Sequence, residues 1–151
     1  MLRLKKINRE NVWNILKLEV SDDQKSFVAT NGISIIEAYT AITENGYAFP
    51  FAIYEDDIPV GFLMIGYDAD DYWYDAPKIA KGNYNLWRLM IDKNYQGKGL
   101  GKEAIRLALD FINTFPCGIG EYCWLSYEAE NDIARQLYSS FGFVETGEKD
   151  G

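Results

Sequence analysis

The chain has 151 residues, 48% hydrophobic and 15% aromatic, which suits one domain with a sizeable core and leaves little for a second. A net charge of −8 repels a phosphate backbone, argues against nucleic-acid binding and would attract a cationic small molecule. Histidine is absent, which excludes Ser/His and Cys/His nucleophilic sites and most zinc chemistry, so no metal site is expected.

Leu2 and Leu4 alternate with Arg3 and Lys5 as a first strand. Asn8 is placed to cap a helix whose inner face carries Val12, Ile15 and Leu16, and the polar run from Ser21 to Lys25 ends it. Ser34 and Glu37 have capping-box spacing, so a second helix is expected from Ser34, carrying Ile35, Ala38, Tyr39 and Ile42 with Gly46 as its stop. Ala48–Tyr54 and Val60–Tyr67 read as a hairpin, and residues 68–82 as a loop bearing acidic side chains and Tyr72, Trp73 and Tyr74.

A strand over Asn83–Asp92 then runs into a glycine turn and a helix over Lys98–Phe115, closed by Pro116. A strand over Tyr122–Tyr127, a helix over Asp132–Phe141 and a short strand over Phe143–Thr146 complete a mixed α/β order. Cys117 and Cys123 read as ordinary thiols. No run reaches the roughly 18 apolar residues of a membrane span and the N-terminus lacks a signal-peptide core, so a cytoplasmic location without membrane contact is expected.

The functional signal is the glycine turn after the fourth strand. With Gly97, Gly99 and Gly101 removing side-chain bulk, successive backbone N–H groups can point at one phosphate while the helix end adds its partial charge. Lys98 and Lys102 add attraction. A Walker A loop does not fit, because Gln96 stands where its first Gly belongs and Glu103 where Ser or Thr follows the Lys. Gly99, Gly101 and Ala104 satisfy a dinucleotide fingerprint formally, but too little chain follows for the remaining parallel strands of that fold.

Gln96-Gly-Lys-Gly-Leu-Gly101 resembles the pyrophosphate loop of the GNAT acetyltransferases, and Asn131-Asp-Ile-Ala134-Arg-Gln-Leu-Tyr138-Ser-Ser-Phe-Gly142-Phe143 resembles that family's second motif. The segments around Phe27-Val-Ala, Glu37-Ala-Tyr39 and Pro50-Phe-Ala-Ile-Tyr54 are similar, more loosely, to bacterial spermine/spermidine N-acetyltransferases. The resemblance implies an α+β fold, a mixed and mostly antiparallel sheet with splayed fourth and fifth strands flanked by helices.

It further implies transfer of an acetyl group from acetyl-CoA to a primary amine, such as spermidine or spermine, by direct attack in a ternary complex. Pantetheine would pair with backbone near Leu89, Met90 and Ile91, where an N–H stabilises the oxyanion. Gln96, Gly97, Lys98, Gly99, Leu100, Gly101 and Lys102 would hold the pyrophosphate, with Asn131 and Ala134 along the cofactor arm. Tyr138 matches the general acid, with a core tyrosine as its structural alternative.

The base is open, because aligning on Tyr95-Gln96-Gly97 puts Trp87 where polyamine-acetylating relatives can carry an acid. Glu128, Glu19 or a water chain remain, each carboxylate equally readable as solvated surface. Glu19, Glu37, Trp87 and Tyr72 would meet the amine. An acetyltransferase for another amine, a peptide N-terminus or an aminoglycoside, and a non-catalytic acyl-CoA-binding module stand as alternatives. The chain is read as a single domain, 1–151, ending short of the family's last strand, with an exposed edge or homodimer contact expected near Tyr122–Tyr127.

Overall fold

The computed structural model describes residues 2–22, 25, 30–68, 82–118, 120, 122–125 and 138. Two long strands, β2 (Tyr47–Glu55) and β3 (Ile58–Tyr67), form a hairpin closed by Asp56 and Asp57. Asp56 takes φ +56°, a left-handed conformation that a short polar side chain tolerates and a two-residue turn requires. β1 (Leu2–Lys6) adds antiparallel to β2, with Leu4 opposite Ile53. β4 (Tyr84–Ile91) adds antiparallel to β3, with Leu63 opposite Leu89. β5 (Cys123–Trp124) lies parallel to β4, giving the order β1-β2-β3-β4-β5 among the described residues.

Because successive strand side chains point to opposite faces, the central strands read as continuous apolar runs that fill two cores. Phe51, Ile53, Leu63 and Ile65 pack with Leu100, Ala104, Ile105 and Ala108 of helix α3 (Leu100–Ile112) on one face. Ala52, Tyr54, Phe62 and Met64 pack on the other with Ile15 of α1 (Val12–Leu16) and Ala38 and Ala41 of α2 (Asn31–Thr43).

The helix starts differ from the sequence expectation. α2 begins three residues before Ser34, because Thr30 is extended (φ −64°, ψ 156°) and its hydroxyl accepts from the Ile33 N–H at 3.2 Å. Ser34 is buried inside the first turn, so Ala38 and Ala41 take the inward positions while Tyr39 and Ile42 turn outward. Leu16 is likewise exposed. Asn8 organises the entry to α1, its Oδ1 accepting from the Glu10 and Asn11 N–H groups, but the helix starts only at Val12. α3 starts at Leu100 rather than Lys98, since Gly99 is left-handed. The expected last helix and strand lie outside the described residues, apart from Tyr138, which is helical.

Candidate active site

β4 supplies one wall. Its pairing with β3 slips between Met64 and Ile65: Met64 faces Arg88 and Ile65 faces Leu86, so Trp87 is the extra residue of a bulge. The bulge sends two consecutive side chains toward the α1/α2 face. Trp87 packs against that core, and the Arg88 guanidinium forms an ion pair with Glu37 of α2 at 2.8 Å. Leu89 returns to the α3 face and Met90 to the opposite one. Among the described residues β5 pairs with β4 at Tyr84 and Asn85.

The glycine turn is braced at the end of β4. Asp92 caps a 3₁₀ turn (Lys93–Tyr95), and the Gln96 side-chain amide donates to the Ile91 carbonyl at 3.0 Å. Gly97 and Gly99 take φ +81° and +78°, and a Cβ built on either meets nothing within 4 Å, so the turn presents bare backbone to an open side. Gly99 is the N-cap of α3 and brings no side chain to the first-turn N–H groups, which stay free to meet an anion. Leu100 is buried and anchors the turn, while Lys98 and Lys102 are exposed; the Lys98 ammonium lies 5.5 Å over the Tyr95 ring. This cradle fits a pyrophosphate: bare backbone leads into the start of a helix, with Lys98 and Lys102 exposed beside it and Glu103 the acidic residue of the first helical turn.

Tyr138 packs against the α3-side core that also holds Leu89 and Leu100. Burial pushes its hydroxyl up to about 12, so it stays protonated throughout the neutral range. The two thiols are likewise pushed up by burial, Cys123 to about 11, which disfavours their thiolate forms. Glu19 is held below the ordinary carboxylate range, first by its hydrogen bond from Lys93 and then by the charge of Lys25.

The structure thus gathers Leu89, Leu100 and Tyr138 in one core, and Trp87, Met90 and Glu37 on the opposite side of β4. Glu128, Asn131, Ala134 and Tyr72 lie outside the described residues. Arg88 and Asp92 escaped the sequence reading, because their partners Glu37 and Glu19 stand 51 and 73 positions away and leave no local pattern.

Comparison with known proteins identifies the family of the chain. A probable spermine N(1)-acetyltransferase of Bacillus subtilis subsp. natto is 32% identical over 99% of this chain and 91% of its own. The fold is shared with a spermidine N-acetyltransferase from Vibrio cholerae, solved with CoA and spermine (TM-score 0.67, 20% identity, 97% of this chain and 82% of that one). It is also shared with AAC(6')-Iy, solved with a bisubstrate analog (TM-score 0.68, 14% identity, 99% and 95%). With the pattern of the Acetyltransferase (GNAT) family matching residues 9–143, the chain belongs to that family and is an acetyl-CoA-dependent acyltransferase.

Proposed function

We propose that the acceptor is a polyamine, spermidine or spermine. The observation that carries this reading is the end-to-end likeness, at 32% identity, to a probable spermine N(1)-acetyltransferase. The net charge of −8 supports it by drawing a polycation toward the protein.

Acetyl-CoA supplies the activated acetyl group. Gly97, Gly99 and the first-turn amides of α3 would hold its pyrophosphate with Lys98 and Lys102, backbone of Leu89–Ile91 would align its arm, and Asn131 and Ala134 would line the same path. Trp87 would present an aromatic face to the ammonium, with Glu19 and Glu37 as its carboxylates and Tyr72 nearby. The ammonium gives up one proton to become the neutral amine, and its nitrogen bonds the acetyl carbon. As the carbon–sulfur bond breaks, Tyr138 gives its hydroxyl proton to the departing thiolate and is reprotonated by the second proton, which the new amide nitrogen releases. Glu19 is poorly suited to take the amine's proton, since its two lysine neighbours stabilise its charged form. We assign that proton to Glu128 or to water in contact with it.

The test is thiol release from acetyl-CoA against spermidine, spermine, an aminoglycoside and a peptide N-terminus. Spermidine or spermine should give the highest kcat/KM. Preference for the aminoglycoside or the peptide would overturn the polyamine assignment.

A further inference from the structure

Asp92 is buried, 5% exposed, at the junction of β4 and the 3₁₀ turn. A buried carboxylate persists only when its lone pairs are met. Here two backbone amides meet it, one 73 positions away in the chain and one two residues on. Oδ1 accepts from the Glu19 N–H at 2.9 Å, and Oδ2 from the Asn94 N–H at 3.2 Å. The next residue completes a clamp on Glu19: the Lys93 N–H donates to the Glu19 carbonyl at 2.8 Å, and the Lys93 ammonium bonds the Glu19 carboxylate at 2.8 Å. The segment following α1 is therefore fastened by both main-chain groups of Glu19 to the residues just before the glycine turn. Asp92 is itself fixed, its N–H donating to the Val60 carbonyl at 2.8 Å and its carbonyl accepting from the Tyr95 N–H at 2.8 Å.

We propose that Asp92 is a positioning residue that locks the Glu19 segment to the glycine turn, so that filling the turn with acetyl-CoA also steadies the amine side of the site. The Asp92 carboxylate spans the two half-sites, and ordering the turn through Asn94 and Tyr95 restricts the same carboxylate that holds the Glu19 amide. The inference rests on the glycine turn as the acetyl-CoA site and does not depend on which amine is acetylated.

Hydrogen exchange at the Glu19 amide, read with and without saturating acetyl-CoA and no amine present, tests it. In the parent chain acetyl-CoA should slow exchange at Glu19 by about fivefold or more, the lower end of ordinary site-to-site coupling. In Asp92→Ala that slowing should vanish while acetyl-CoA still protects Leu100 and Gly101. Asp92→Asn, which keeps the shape and one acceptor oxygen, should retain part of it and serves where the alanine variant does not fold. No effect of acetyl-CoA on Glu19 in the parent, or an equal effect in parent and both variants, would overturn the proposal. A failed amine panel with this coupling intact would remove the polyamine reading alone.

Discussion

Burial keeps the Tyr138 hydroxyl protonated to about pH 12, which separates its role from any ionisation seen in the working range. Tyr138→Phe should lower kcat by about 100-fold, the low end of what a positioned proton donor contributes, and leave the KM for acetyl-CoA nearly unchanged. The rate of the parent should show no loss attributable to this tyrosine between pH 7 and 10; an alkaline limb in that range that disappears in the phenylalanine variant would contradict the assignment. Gly99 makes a different demand. A valine there finds open space but must hold φ +78°, at a strain of about 1–3 kcal/mol, and its methyl groups stand where a pyrophosphate would approach. Calorimetric titration should find acetyl-CoA binding lost in Gly99→Val with the circular dichroism of the fold retained, and unchanged affinity would remove the pyrophosphate from this turn.

Among the elements, α2 depends on a cap that its own sequence disguises. Thr30→Ala should destabilise the protein by about 1 kcal/mol in urea, while Ser34→Ala, which removes a hydroxyl from inside the first turn, should not act as a cap deletion. A larger loss at Ser34 than at Thr30 would reverse that reading. The case shows what a sequence discloses. The apolar runs of β2 and β3 and the Gly97–Gly101 run are local, and both strands and the start of α3 appear within two residues of expectation. Choosing between Thr30 and Ser34 as a cap depends on which of them the sheet buries, and the Glu37–Arg88 and Glu19–Asp92 contacts depend on tertiary proximity. Spacing along the chain contains neither.

For the whole molecule, absence of histidine and burial of weak acids set the pH response. Cys117, Cys123, Tyr84 and Tyr138 all have values raised above the ordinary 9 or 10 by burial, so on alkalinisation the unfolded chain releases these protons first. The folded chain then holds more protons than the unfolded one, and stability falls as pH rises from about 9 toward 12. Glu19 and Asp22 are shifted the other way by their lysine partners, so their contribution is present above the ordinary carboxylate values and lost as pH falls through them. Thermal melts should show a plateau from pH 6 to 8 and a declining Tm above 9; a Tm that rises between pH 9 and 11 would contradict the alkaline part.

The parallel pairing of β5 with β4 also bears on how the molecule assembles. Strands β1 to β4 are joined by sequence-adjacent antiparallel pairings except where α1 and α2 intervene, whereas β5 joins in parallel across the whole of α3. Short loops close quickly and long crossovers slowly, so β2 and β3 should lead folding and β5 should arrive last. Shortening Leu63 should then slow refolding, and shortening Trp124 should chiefly hasten unfolding. The junction of β5 with β4 at Tyr84 and Asn85 would accordingly be the final part of the described sheet to take shape as the chain leaves the ribosome.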